Sequence, residues 1–161
     1  SILLTPSNNL WRYNPATNSY TTLAPYTTAT AAHAAVYLNG NIYRIGGCFN
    51  LNCDSTATVE RYSVSGGTWT AAPPYPMPIG GLAAVAQGAA IYTAGGITLN
   101  ATETTKTYRF DGTTWDDSGI ADLPEARYLA AGDLYNSRWL LAGGTAAGAT
   151  LSGAERRRES A

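Results

Sequence analysis

The chain is nearly without histidine, lysine and cysteine, and each shortage removes a class of function. His33 is its single histidine, Lys106 its single lysine, and Cys48 and Cys53 its two cysteines. Two thiols and one imidazole are too few for a closed zinc site, which takes four such ligands. Charge is scarce as well. Asp, Glu, Lys and Arg make up 13% of the 161 residues, with a formal net charge of −1. No basic face is available to neutralise phosphates, so nucleic-acid binding has no electrostatic support. No apolar run approaches the ~20 residues of a membrane-spanning helix. No Gly-x-Ser-x-Gly elbow signals a serine nucleophile. No apolar region with a basic flank and a cleavage site opens the chain. The first residue is Ser1 rather than Met, which reads as a processed or excised piece of something longer.

What is present is repetition. A Gly-Gly pair occurs at Gly46-Gly47, Gly95-Gly96 and Gly143-Gly144, in steps of 49 and 48 residues. Each pair ends an apolar run: Asn41-Ile-Tyr-Arg-Ile45, Ala90-Ile-Tyr-Thr-Ala94 and Arg138-Trp-Leu-Leu-Ala142. Ahead of each run lie a small-residue segment and a turn. The segments are Ala31–Val36, Gly80–Val85 and Tyr128–Gly132; the turns are Asn39-Gly40, Gln87-Gly88 and Asn136-Ser137. Such residues tolerate the positive φ of tight hairpins. Aromatic-basic strands carry Arg12, Arg61 and Arg109, again 49 and 48 residues apart. A short strand with Tyr20, Trp69 or Trp115 follows, and then a proline-bearing connection. This is four short strands per repeat with turns between them, an all-β pattern; no segment sustains a helical period.

A period near 50 points to kelch-type β-propeller blades of four antiparallel strands. The chain resembles the kelch-repeat family in its Gly-Gly pairs, in Tyr43 and Tyr92 ahead of two of them, and in the Tyr or Phe followed by a turn and a Trp. Repeats at approximately 9–47, 48–96 and 97–144 fill residues 1–144 as one propeller segment of three blade equivalents. Residues 145–161 form a tail, in which Ala154-Glu-Arg-Arg157 reads as the start of a fourth aromatic-basic strand or as a frayed terminus. The role of Arg156-Arg157-Arg158 stays open.

The resemblance implies fold more than activity, because kelch propellers host binding modules, scaffolds and a few enzymes. The family's Arg-x-x-His lead into the innermost strand survives only as Arg127 and His33, in different repeats. The copper site of kelch oxidases needs two histidines, which one chain with His33 alone cannot supply. No cofactor or metal is implied. The expected function is a non-enzymatic binding or assembly module, extracellular or on a cell surface, that takes protein or carbohydrate through rim loops. The alternative is a fragment of a secreted carbohydrate-active or oxidative kelch enzyme whose catalytic residues lie in missing blades.

Candidate binding residues are Tyr26, Tyr75 and Tyr128 in the proline-bearing connections, with His33 and Arg127 beside them. As exposed aromatics the tyrosines would stack on sugar rings; otherwise they pad the loops against the blades. His33 either faces the central channel or bonds a neighbouring loop. Recurrence of Arg12, Arg61 and Arg109 argues for a structural pairing in every blade. Cys48 and Cys53 enclose four residues; a local disulfide is expected in an oxidising compartment and free thiols in a reducing one. Propellers close with ~4–8 blades. Three repeats therefore need a partner: a second copy forming a six-bladed homodimer, or the remaining blades of a longer parent chain.

Overall fold

The computed structural model describes residues 5–146 and the backbone of 149 and 150. The described residues contain no helix. The chain opens with β1 (Leu10–Asn14) and β2 (Ser19–Leu23), an isolated antiparallel pair. Next come β3 (Ala34–Leu38), β4 (Asn41–Ile45), β5 (Val59–Ser63) and β6 (Thr68–Ala72), a four-stranded sheet in chain order. The two-residue β7 (Ile79–Gly80) leads to β8 (Ala83–Gln87) and β9 (Ala90–Ala94). After β10 (Ile97–Thr98), which pairs with β7, β11 (Thr107–Phe110) and β12 (Trp115–Asp116) complete a second four-stranded sheet with β8 and β9. β13 (Ala131–Tyr135) and β14 (Arg138–Ala142) form another isolated pair, followed by the short hairpin β15 (Thr145–Ala146) and β16 (Ala149–Thr150).

The sheets are propeller blades, and the chain is circularly shifted against them. β1 and β2 are the two outer strands of one blade; β3–β6 and β8, β9, β11, β12 are complete blades; β13 and β14 are the two inner strands of another. Register confirms the equivalence. Arg44 lies opposite Glu60 where β4 meets β5, and Thr93 lies opposite Tyr108 where β9 meets β11. In the outer hairpins Tyr13 faces Tyr20, Tyr62 faces Trp69 and Phe110 faces Trp115.

Turn chemistry sets the hairpins. Asn39 and Gly40 both take positive φ between β3 and β4, and Asn136 and Ser137 do so between β13 and β14. That double positive φ matches the twist of the flanking strands. The expected Gln87-Gly88 turn sits one residue later, at Gly88-Ala89, because Gln87 remains in β8.

The innermost strands begin three residues after the start of each small-residue segment. Ala32, Gly81 and Leu129 interrupt them with positive φ, the residues just before each strand crossing near the axis. There they link the blades: Gly81 N–H donates to Ala32 O and Leu129 N–H to Gly81 O, both at 2.7 Å. The Gly-Gly pairs add a second series. Gly47 N–H donates to Ile79 O and Gly96 N–H to Arg127 O, each at 2.8 Å. All six glycines of the pairs have positive φ, and a Cβ on Gly46 or Gly95 would collide with the neighbouring blade's backbone. That is why the pair recurs at every strand end.

The apolar core lies between the two complete blades. Tyr43, Ile45, Val59, Ile79, Ile91, Tyr108 and Phe110 are buried in it. Tyr43 meets Phe110 edge-on at 5.8 Å between centroids, and Trp115 stacks on Phe110 at 4.7 Å. Each outer tryptophan also anchors the preceding connection: Trp69 Nε1 donates to Ala24 O at 2.8 Å and Trp115 Nε1 to Pro73 O at 3.1 Å.

Candidate functional site

The densest polar cluster lies where the β2–β3 connection crosses onto the first complete blade. Arg44 on β4 and Glu60 on β5 are cross-strand neighbours, both buried. Arg44 Nε and Nη2 donate to Glu60 Oε2 at 3.1 and 2.8 Å. Arg44 Nη1 donates to Gly46 O at 2.7 Å and to Thr30 Oγ1 at 3.4 Å. Thr27 N–H donates to Glu60 Oε1 at 3.0 Å, which ties the connection to the blade. Burial raises the Glu60 carboxyl, but hydrogen bonds from Thr27 and Arg44 outweigh it and hold the pKa below the ordinary carboxylate value.

Tyr26 and His33 close the cluster. The Arg44 guanidinium lies 5.1 Å from the centre of the Tyr26 ring. Tyr26 meets His33 and Trp69 edge-on at 5.7 and 5.6 Å. Its hydroxyl donates to Ser7 O and Thr30 O. His33 Nδ1 lies 3.3 Å from Thr30 Oγ1. Burial lowers the His33 pKa, the Arg44 charge lowers it further, and a hydrogen bond to the Thr30 backbone works the other way. Against this cluster runs a half-open groove of about 260 Å³, lined by Thr27, Thr28, Thr58, Glu60, Trp69, Thr70 and Ala71.

The other candidates are dispersed. Tyr75 occupies in the second complete blade the place Tyr26 has in the first. It is buried, its hydroxyl lies 3.1 Å from Thr93 Oγ1, and it packs on Tyr108 and Trp115. Desolvation pushes its phenol well above the usual value. Arg127 donates to Gly143 O at 2.9 Å and pairs with Glu125 at 3.3 Å. Tyr128 exchanges backbone hydrogen bonds with Thr145. The structure thus joins Tyr26 with His33 and leaves Tyr75, Arg127 and Tyr128 elsewhere.

Two expectations need correction. Tyr26 and Tyr75 are not exposed platforms for sugars; the connections fold their rings into the blade faces, where burial outweighs exposure for an aromatic ring. Arg12, Arg61 and Arg109 share no recurrent acid partner either: Arg109 lies opposite Asp116 and its charge helps lower that carboxyl, but Arg12 and Arg61 lie opposite Thr21 and Thr70. Arg61 and Arg109 also lie directly opposite Tyr43 and Tyr92 in the sheets. The ion pair that does organise the site, Arg44 with Glu60, was missed. Its signal was an arginine inside an apolar run where the other repeats hold Thr93 and Leu141.

Cys48 and Cys53 are joined as a disulfide with Cα atoms 4.5 Å apart. Among the described residues no three His, Cys, Asp or Glu side chains gather as metal ligands, and no helix is long and apolar enough to cross a membrane. The tail strand expected at residues 154–157 lies outside the described residues.

Comparison with known proteins follows the same lines. A model described as the Kelch motif matches residues 29–75, from Ala29 to Tyr75. The chain is 40% identical over 72 residues to the mouse Kelch domain-containing protein 7A, which covers 44% of this chain and 8% of that protein. It is 34% identical over 89 residues to Beta-scruin of Limulus polyphemus, covering 53% of this chain and 9% of that protein. The chain therefore spans about a tenth of these relatives. A solved structure titled "Structure of YjhT" superposes with a TM-score of 0.78 at 20% identity, over 89% of this chain and 47% of the other.

Proposed function

Because this chain is built of kelch repeats, we propose that it is a non-enzymatic binding and assembly module that closes a six-bladed ring with a second copy. One observation carries the assembly half. Among the described residues lie two half-blades of complementary kind, the outer strands β1 and β2 and the inner strands β13 and β14. Their open edges expose Trp11, Tyr13 and Leu140, at positions whose counterparts in complete blades are mostly buried. Unpaired strand edges of this sort recruit another chain. Two copies give six blades, within the range in which propellers close.

The ligand surface in this reading is the threonine-lined groove beside Trp69. It is lined by Glu60, which fixes the β2–β3 connection through Thr27, and by threonine side chains and Trp69. That combination suits an extended protein segment, bound through hydrogen bonds to threonines and packing on Trp69. With Tyr26 and Tyr75 buried, a carbohydrate-stacking mode loses the platforms it was expected to use. The reading includes an extracellular or cell-surface setting, where a Cys48–Cys53 bond would persist.

Light scattering on the purified chain tests the assembly. A mass of twice 16.9 kDa at micromolar concentration is expected; a single-chain mass there overturns ring closure. Thr70→Arg, which fills the groove without touching either open edge, is expected to abolish capture of peptide-library ligands and keep the mass. Ligands that bind this variant as well as the wild type would place the binding surface elsewhere.

A further inference from the structure

We propose that β14 of this chain pairs with β1 of a second copy in one register, with Ala142 opposite Leu10, Leu141 opposite Trp11, Leu140 opposite Arg12, Trp139 opposite Tyr13 and Arg138 opposite Asn14. The inference rests on the ring-closure reading above and adds the joint that makes it specific.

The register follows from the complete blades. β4 and β5 pair with Ile45 opposite Val59 and Arg44 opposite Glu60; β9 and β11 pair with Ala94 opposite Thr107 and Thr93 opposite Tyr108. Stepping by the repeat period carries Ile45 and Ala94 to Ala142, and carries Thr107 and Val59 back to Leu10. The chemistry at each pair then decides whether the strands belong together. The position that holds an ion pair in one blade, Arg44 with Glu60, holds Thr93 with Tyr108 in the next. At the joint it holds Leu141 with Trp11, both apolar. The connection residue packed over it changes in step: Tyr26 over Arg44, Tyr75 over Thr93, and Leu123 at the joint. A Trp11 indole set against Arg44 or Thr93 would strand polar groups; against Leu141 and Leu123 it completes an apolar cluster. Trp139 opposite Tyr13 supplies an aromatic pair of the kind that stabilises antiparallel sheets. A slip by one residue would turn every one of these side chains to the other face.

The backbone agrees. The axial series that runs from Ala32 O to Gly81 N–H and from Gly81 O to Leu129 N–H would continue from Leu129 O to Ala32 N–H of the second copy. The Gly-Gly series would continue from Gly144 N–H to Thr30 O of that copy, in place of the long 3.4 Å bond that Thr30 O accepts from Ser7 N–H, since Thr30, Ile79 and Arg127 are equivalent. Within this sequence a competing occupant is the tail. Aligning Glu155-Arg156 with Glu60-Arg61 sets Glu155 against Leu141 and Arg157 where Tyr62 and Phe110 lie. That brings two charges onto an apolar edge, which β1 instead covers with Trp11 and Tyr13.

Cysteine cross-linking of the full chain tests the register. Gly46 and Thr58, and Gly40 and Val64, mark the hydrogen-bonded pairs of β4 and β5, so Tyr43 with Arg61 is a close, non-hydrogen-bonded pair. Its counterpart at the joint is Leu140 with Arg12, where Cα atoms ~4.5 Å apart suit a disulfide. A chain carrying Arg12→Cys and Leu140→Cys should form a covalent dimer on mild oxidation, with the 12–140 link found by peptide mapping. The yield should exceed by about tenfold that of Arg12→Cys with Leu141→Cys, whose side chains would face opposite ways. Leu10→Cys with Ala142→Cys, the other close pair, repeats the test should the first variant misfold. A dimeric mass without the matched links overturns the register and leaves ring closure standing. A monomeric wild type overturns both. Links that form only after residues 151–161 are deleted show that the tail holds the edge, and the proposal falls.

Discussion

Tyr62 and Phe110 belong to complete blades and are 4% and 0% exposed, whereas Tyr13, at the same position in the half-blade of β1 and β2, is 46% exposed. Its hairpin partner Tyr20 is 73% exposed even though the two rings lie 5.0 Å apart, as close as Trp69 lies to Tyr62 at 5.2 Å. The side chains are of one kind, and only the neighbouring sheet differs. One repeat of this chain thus does not bury its aromatic face alone; the adjacent blade does so, as repeat architectures require. The half-blades carry core residues without a core.

The largest effect is expected at these positions. Phe110→Ala should cost about 3–5 kcal/mol, the usual range for a buried aromatic. Tyr13→Ala should cost as much if a second copy covers β1, and the loss should fall away on dilution below the dimer's dissociation constant. If the edge stays open, Tyr13→Ala should cost under about 1 kcal/mol, as surface changes do. Urea unfolding of both variants at two protein concentrations separates the cases. A small, concentration-independent loss for Tyr13→Ala would remove the ground for treating the half-blades as interfaces.

The second comparison is within the complete blades. Arg44 with Glu60 in one and Thr93 with Tyr108 in the other solve the same buried position differently. Glu60→Ala should cost about 3–5 kcal/mol, because it leaves the Arg44 charge buried without its partner. Arg44→Thr together with Glu60→Tyr, which copies the next blade beneath Tyr26, should regain most of that loss. A double variant no more stable than Glu60→Ala would show that the ion pair also does something the hydroxyl pair cannot.

This interchange marks where sequence stops being legible. The repeat period located the strand ends, the hairpins and the half-blades, because each Gly-Gly answers a local demand for positive φ and close backbone approach. It placed the start of the inner strands too early, since Ala31 to His33 look like strand but carry the axial crossing at Ala32. The Arg44–Glu60 pair was invisible for a different reason. Its partners are 16 residues apart across a loop whose length varies between repeats, so only the register brings them together. Tyr26 and Tyr75 lie in loops by sequence and by structure, but burial is decided by the face they fold against.

Glycine substitutions give a third, smaller contrast. At Gly46 a Cβ would meet the Ile79 carbonyl, whereas at Gly143, the same position beside an open edge, nothing lies within 4 Å. Both have positive φ, 62° and 70°. Gly143→Ala should therefore cost about 1–2 kcal/mol, the left-handed penalty alone. Gly46→Ala should cost clearly more, since backbone must move. Ring closure would bring Thr30 of the second copy against Gly143 and erase the difference at high concentration. Equal losses at every dilution would mean that the two positions never differed in environment.

The smallest effect is a pH dependence confined to the joint between the first half-blade and its neighbour. His33 has Leu82 and Ala130 as its counterparts, so only this repeat titrates there. Tyr26, Arg44 and, through Arg44, Glu60 surround the ring. Burial first and the Arg44 charge second lower its pKa from 6.5. A lowered histidine pKa means that the unfolded chain binds the proton more readily. The stabilising share of neutral His33 is then complete above about pH 6.5 and is lost as pH falls through the folded value. Glu60 is also depressed, from 4.5, so its share is complete above that value and disappears only in stronger acid. Between about pH 6.5 and 4.5 the slope therefore belongs to His33. His33→Leu, which copies Leu82, should flatten the melting temperature across that window and leave the acid loss in place. Parallel curves for variant and wild type from pH 7 to pH 5 would show that the imidazole sits in water rather than against the Arg44 charge.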